Sequence, residues 1–319
     1  MNILGIDIGG TKTSVCVGNT DGDVRGHSRF DMLDVPSVDD YMPRVVQAAQ
    51  LALDQAGLSM GAIERIGISA PGPLSVARGI IMQPANNPGW VDVPIVALAE
   101  AAFDRPVVMN NDANAGALAE KYFGRHRDAA VLVFLTNSTG MGGGIINNGE
   151  LVQGVTDMAG ELGHYCLDAE GPDCPCGLHG CFELYVGGRA VAERLKARIR
   201  DERIETAMID HAGGDIDKIT LQTVTAAARA GDTFALSEWE AYTEHMAHGI
   251  GNIIQMLNPA VILLGTVAVN EGEFLLGPVR EKLARYTWKW PREACVVEAS
   301  SLGARIGDLA TLAVARHTA

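Results

Sequence analysis

The chain has 319 residues, 47% of them apolar, and a formal net charge of −14. Such a length can bury a large core, most naturally as two domains or lobes, and an acidic chain with no basic stripe is a poor partner for nucleic acid. No apolar run approaches the ~20 residues that cross a bilayer, and the start is neither basic nor an apolar signal segment, so the expectation is a soluble, cytoplasmic protein with no membrane partner.

Asn2 to Asp7 reads as a buried strand. Gly9-Gly10-Thr11-Lys12 interrupts it, strand alternation resumes from Thr13 to Val17, and Asp21-Gly22 marks a tight turn before Val24 to Ser28. The result is a β-meander whose first turn is rich in glycine. Ser37 and Asp40 have capping-box spacing. Met42, Val45, Val46, Ala49 and Leu53 then recur at helical spacing until Gly57. Arg65 to Ser69 is a second buried strand, running into Ala70-Pro71-Gly72-Pro73. Val107 to Met109 is another, and Asn110-Asn111-Asp112 stands where it gives way to a helix through Tyr122. Val131 to Thr136, the turn Thr139 to Gly144 and Ile145-Ile146 echo the opening strand–turn–strand unit, which points to an internal duplication with a cleft between the halves. Helices are predicted at Val191 to Ile199, Leu221 to Ala230, Phe234 to Leu257, Phe274 to Tyr286 and Ile306 to Ala315. Strands are predicted at Ala260 to Leu264 and Cys295 to Ala299, and Arg200 to Lys218 reads as irregular. This alternation of strand and helix is an α/β architecture.

His164, Cys174, Cys176 and Cys181 lie close in sequence and offer the four ligands of a tetrahedral structural zinc site. Disulfides are the alternative, but three thiols leave one over, and a Cys-x-Cys pair is badly placed to bridge itself. Cys16, Cys166 and Cys295 are scattered through apolar or strand-like contexts, the pattern of a reducing compartment. Cys166 competes with His164 for the fourth ligand position. Glu161 and Glu183 flank the cluster, so a metal clip here would bring two acidic side chains to one polar pocket.

Glycine-rich turns between strands open backbone N–H groups to an anion. Gly9 to Lys12 adds the Thr11 hydroxyl and the Lys12 charge, both suited to phosphate oxygens, and Asp7 is placed to hold Mg2+ through water. An ordinary hairpin with a surface lysine fits the same residues; the second turn at Thr139 to Gly144 favours a nucleotide gripped from both halves. Asp112 is a helix N-cap, or a general base for an attacking hydroxyl with Asn111 orienting the same substrate, and the two roles are compatible. Glu161 and Glu183 can each accept several hydrogen bonds from vicinal sugar hydroxyls. An imidazole bound to zinc through one nitrogen keeps the other for a substrate.

Gly5 to Lys12, Asn111-Asp112-Ala113-Asn114, Gly160 to His164 and Cys174 to Glu183, with Asn86 to Trp90 beside them, together resemble the ROK family (repressors, open reading frames and sugar kinases) over essentially the whole chain. The resemblance implies an α/β, two-lobed actin-like ATPase (ribonuclease H-like) fold with a zinc-clipped loop at the cleft. A smaller N-terminal lobe at 1–115 is expected, completed by the C-terminal helix at 305–319, and a larger lobe at 116–304 carries the zinc loop. The implied activity is ATP-dependent phosphorylation of a hexose at the 6-hydroxyl, glucose first, with Asp112 as the base. Gly72, Asn86, Asn111, Asp112, Glu161, His164 and Glu183 would hold the sugar. Asp7, Gly9, Gly10, Thr11, Lys12, Thr139 and Gly140 would hold the phosphates and Mg2+, and Gly265 would approach the adenosine. Zinc on His164, Cys174, Cys176 and Cys181 would be structural, since four protein ligands leave no open position. Family members often form dimers or tetramers, so a homodimer or homotetramer is expected. Two departures bear on the nucleotide: Ser138 replaces the glycine usual before the Thr-Gly of the second turn, and Gly265-Thr266-Val267 stands where family members run two or three glycines.

The nearest competing activity is N-acetylmannosamine or N-acetylglucosamine kinase, which would need room for a 2-acetamido group around Pro71 to Pro73 and Asn86. A sugar-responsive ROK-type regulator is less expected, because such regulators carry a helix-turn-helix ahead of the first strand and this chain opens on that strand with a strongly negative charge. The intact Asp7, Lys12 and Asp112 argue against a non-catalytic sugar sensor.

Overall fold

A computed structural model describes residues 1–317 except 36, 85, 86 and 88. In chain order come strands β1 (Asn2–Ile8), β2 (Lys12–Asn19) and β3 (Val24–Asp31), helix α1 (Val38–Ala56), strands β4 (Arg65–Ala70), β5 (Leu74–Ser75) and β6 (Ile80–Ile81), helix α2 (Ile95–Phe103), strand β7 (Val107–Asn111) and helix α3 (Asp112–Phe123). Strands β8 (Val131–Asn137), β9 (Met141–Asn147) and β10 (Glu150–Leu151) follow, then helices α4 (Phe182–Val186), α5 (Gly188–Glu202), α6 (Ala207–His211), α7 (Leu221–Arg229) and α8 (Thr233–Leu257). The chain closes with β11 (Val261–Leu264), α9 (Thr266–Glu271), α10 (Glu273–Lys282), α11 (Lys289–Ala294), β12 (Val296–Ala299) and α12 (Ile306–Arg316). Two compact units result: Met1–Ala129 with Gly144–Gly160 and Ser301–Ala319, and Ala130–Gly143 with Glu161–Ser300.

The first unit is built on a sheet of order β3-β2-β1-β4-β7, in which β1, β2 and β3 are antiparallel neighbours and β1, β4 and β7 run parallel. β1 and β4 read as near-continuous apolar runs because helices cover both faces of the parallel half. Helix α1 packs on β2 and β3, and α12 on β1 and β4. The Ser37 hydroxyl caps α1 by accepting from the Asp40 N–H at 3.3 Å, and Gly57 ends the helix at φ 66°. Between α1 and the sheet the fully buried Tyr41 meets Trp90 edge-on at 4.8 Å and shares a hydrogen bond with the Thr13 hydroxyl at 3.1 Å.

The second sheet has the order β10-β9-β8-β11-β12, with β8, β11 and β12 parallel. Three consecutive strands in reverse order followed by two parallel neighbours is the order of the first sheet too, so the echo between the two glycine turns extends to topology. β9 starts in the second unit, and its continuation from Gly144, with β10, belongs to the first. Leu132 to Leu135 and Val261 to Leu264 are buried here, as are Trp239, Tyr242, Ile250 and Ile254 of α8.

Two stretches differ from expectation. Residues 200–218 are not irregular: α5 runs to Glu202, and α6 starts at Ala207 because Asp232, far along the chain, accepts from the Ala207 N–H at 2.8 Å and the Thr206 hydroxyl at 3.0 Å. Thr266 and Val267 do not lie in a turn but begin α9, whose first bonds are accepted by the Gly265 carbonyl.

Candidate functional site

In the first unit the parallel register brings the carboxyl ends of β1, β4 and β7 side by side: Asp7 pairs with Ser69, Ser69 with Asn110, and Ala70 with Asn111. Ligands of open α/β sheets bind at such strand ends. The Ser69 hydroxyl donates to Asp7 Oδ1 at 2.8 Å. Burial pushes the Asp7 carboxyl above its ordinary range, with the Asp308 charge adding to it, while the Ser69 bond and Lys12 act the other way. In the turn after β1 the Gly9 N–H donates to the Lys12 carbonyl at 3.0 Å, leaving Thr11 and Lys12 exposed. Gly72 follows β4 and precedes Pro73 through a cis peptide bond.

Helix α3 starts at the end of β7. Asn111 is its cap, its side-chain oxygen accepting from the Ala113 N–H at 2.9 Å and the Asn114 N–H at 3.4 Å. Asp112 is the first helical residue, exposed, with Oδ1 accepting from the Ala113 N–H at 2.8 Å. There the aligned peptide dipoles stabilise a negative charge. The capping role open to Asp112 thus falls to its neighbour. Asn86 lies outside the described residues.

The second unit gathers the rest. The ligand atoms of His164, Cys174, Cys176 and Cys181 all lie within 4.8 Å of one another. Cys176 Sγ is 3.6 Å from Cys181 Sγ, and Cys174 Sγ is 3.9 Å from His164 Nδ1. Those separations match the ~3.8 Å edge of a tetrahedron with vertices ~2.3 Å from its centre, the zinc–thiolate distance. Nδ1 faces the sulfurs, and Cys166 is exposed and outside the group. Three thiols and an imidazole with this spacing fit a zinc ion.

Beside the cluster, Glu161 is exposed, although neighbouring protein atoms partly desolvate its carboxyl. That desolvation raises its pKa above the ordinary value, opposed by His164 and reinforced by Glu183. Glu183, on α4, accepts from the Met141 N–H at 2.7 Å through Oε2 and so touches the turn that contains Thr139 and Gly140. That turn is bound to the start of α5 by Gly188 N–H to the Ser138 carbonyl (2.9 Å) and Arg189 N–H to the Thr139 carbonyl (3.0 Å). A Cβ on Gly188 would fall 2.6 Å from the Ser138 oxygen, so only glycine permits this approach. A cavity of about 380 Å³ opens next to the turn, lined among others by Ser138, Thr139, Arg189, Lys196, Thr266 and Val267. Gly265 precedes the lining residue Thr266 in the chain, its N–H donating to the Leu135 carbonyl at 2.8 Å.

The sequence-predicted residues therefore fall into two groups. Asp7, Gly9, Gly10, Thr11, Lys12, Gly72, Asn111 and Asp112 belong to the first unit; Thr139, Gly140, Glu161, His164, Glu183, Gly265 and the cysteines belong to the second. Sequence reasoning passed over Ser69, Asp308, Arg189 and Lys196. Ser69 was within reach as the residue ending a strand beside Asp7's, whereas the other three depend on tertiary placement.

Two sheets of this shared topology, with ligand-type residues at the strand ends, define the actin-like ATPase fold. The sequence model of the ROK family matches residues 3–317, and the chain belongs to that family. A glucokinase from Thermotoga maritima is 30% identical over 286 residues, covering 90% of this chain and 88% of its own. The crystal structure of a ROK family glucokinase from Streptomyces griseus in complex with glucose and AMPPNP matches with a TM-score of 0.84 at 28% identity, covering 99% of each chain. A xylose repressor from Caldicellulosiruptor bescii is 29% identical over 280 residues, 88% of this chain and 69% of its own.

Proposed function

We propose that the protein is a sugar kinase that transfers the terminal phosphoryl group of ATP to the 6-hydroxyl of a hexose, with glucose the first choice. The observation that carries the reading is the second unit's arrangement: Glu161 lies close to Glu183 and to His164, a member of the zinc-type cluster, and Glu183 is bonded directly to a glycine turn beside a nucleotide-sized cavity. Paired carboxylates suit vicinal hydroxyls, and a histidine that gives Nδ1 to the metal keeps Nε2 for a sugar oxygen.

In this reading Asp112 takes the proton of the attacking hydroxyl, and Gly72, Asn86, Asn111, Glu161, His164 and Glu183 hold the ring. The turns at Gly9 to Lys12 and Thr139-Gly140 hold phosphates with their N–H groups, and the α9 end at Gly265 faces the adenosine. Asp7, steadied by Ser69, would hold Mg2+ through water, an ion that neutralises phosphate charge when bound. His164, Cys174, Cys176 and Cys181 would hold a structural zinc that braces the loop. Phosphoryl transfer asks mainly for positioning and charge neutralisation, which is what these side chains offer.

A coupled assay across glucose, N-acetylmannosamine, N-acetylglucosamine, mannose and fructose tests the reading: turnover fastest with glucose supports it, a preference for an N-acetylhexosamine moves the substrate within the class, and no turnover with any hexose removes it. The repressor relative favours a second reading, a sugar-responsive regulator. Specific DNA binding by the pure protein would support that one, against the −14 net charge.

A further inference from the structure

At the end of β8 a polar side chain takes a place that the preceding residues fill with apolar ones. Asn137 is completely buried. Its Nδ2 donates to the Val186 carbonyl at 2.9 Å, and its Oδ1 accepts from the Tyr242 hydroxyl at 2.9 Å. That hydroxyl also lies 3.2 Å from the Val186 carbonyl. Tyr242 is buried on α8, its ring stacked on Trp239 at 4.9 Å. Burying an amide and a phenol is unfavourable unless both are bonded, and a network whose members are paired fixes one geometry.

What the network joins is specific. Asn137 immediately precedes the turn Ser138 to Met141, and Val186 ends α4, the helix that carries Glu183. The same two segments meet again through Gly188 and Arg189 N–H groups on the turn's carbonyls and through the Met141 N–H on the Glu183 carboxylate. The carboxylate and the turn's N–H groups thus move as one body. A sugar that fixes Glu183 fixes the turn, and a phosphate that orders the turn presents Glu183 already oriented.

We propose that Asn137 and Tyr242 are positioning residues that make sugar and nucleotide binding cooperative within the second unit, through the contact between Glu183 and Met141. The inference rests on the kinase reading of this site. The test is calorimetric titration of AMPPNP into the full chain with and without saturating hexose, the ratio of the two Kd values being the coupling. The parent is expected to show a ratio of about fivefold or more, in the usual range for coupled sites. Tyr242→Phe keeps the ring stack and should bring the ratio toward one while each ligand alone binds within about threefold of the parent, a change well under the tenfold that 1.4 kcal/mol represents. Asn137→Leu combined with Tyr242→Phe removes both polar partners together and serves if the single variant folds poorly. An undiminished ratio in the folded variants, or a ratio of one in the parent, overturns the coupling. Failure of the parent to bind any hexose, read by a separate titration with hexose alone, overturns the kinase reading itself.

Discussion

Gly140→Ala separates folding from ligand recognition. A methyl group at Gly140 would overlap Glu183 Oε2 and come within 3.3 Å of its carboxyl carbon, the remaining neighbours being no closer than 3.9 Å. Since non-bonded carbon contacts settle near 3.5–4.0 Å, the carboxylate must move by about 1 Å. Oε2 is the far end of a flexible side chain, so the displacement costs the fold little. It does break the 2.7 Å bond from the Met141 N–H. A hydrogen bond to a charged group contributes about 1.5–3 kcal/mol; if the displaced Glu183 loses one such bond to the hexose, affinity should fall by roughly 10- to 150-fold, taking 1.4 kcal/mol per tenfold. Calorimetric titration with hexose alone keeps any effect on phosphate binding out of the measurement, and a melting curve reports the fold. Parent-like hexose affinity in a folded Gly140→Ala protein would refute the assignment of Glu183 as a sugar ligand oriented by this turn.

Asp112→Asn should keep hexose binding near the parent value while lowering kcat by about 10²-fold or more, the scale of a general base; near-parent turnover would take Asp112 out of the mechanism. Metal analysis should find zinc bound stoichiometrically, and Cys176→Ser should lose it and weaken hexose binding before the protein unfolds; a parent free of zinc after expression with zinc supplied defeats that expectation. Burial lowers the pKa of His245 and His248, with the Arg194 and His248 charges adding to it for His245. The unfolded chain therefore takes up protons first on acidification, so this contribution to stability is complete above the ordinary value of 6.5 and is lost as pH falls below it. Melting temperatures from pH 7.5 to 5 should accordingly drop more steeply in the parent than in His245→Gln, and parallel profiles would contradict the assignment.

Local chemistry made much of the fold readable. Ser37 and Gly57 bound α1 as their capping and left-handed preferences dictate, and the apolar runs of β1, β4, β8 and β11 report strands covered on both faces. The His164–Cys181 grouping was legible because four ligands close in sequence reach one point without help from the rest of the chain. Illegible were contacts whose partners lie far apart. α6 depends on Asp232, and the Glu183–Met141 bond depends on a loop folding back on a turn. Asn137 reads as an ordinary strand-end amide until Tyr242 is brought against it. The start of α9 at Thr266 was hidden for another reason: Gly265 resembles a turn residue, while its carbonyl accepts the helix's first bonds.

The last helix carries a consequence for biosynthesis. α12 lies on β1 and β4, and Thr311 sits so close to Gly5 and Gly67 that neither glycine could bear a side chain. Because β1 and β4 emerge before α12, one apolar face of these strands stays bare until that helix is made. Nascent chains stalled ahead of Ile306 should expose that face, and deletion of α12 should destabilise β1 and β4.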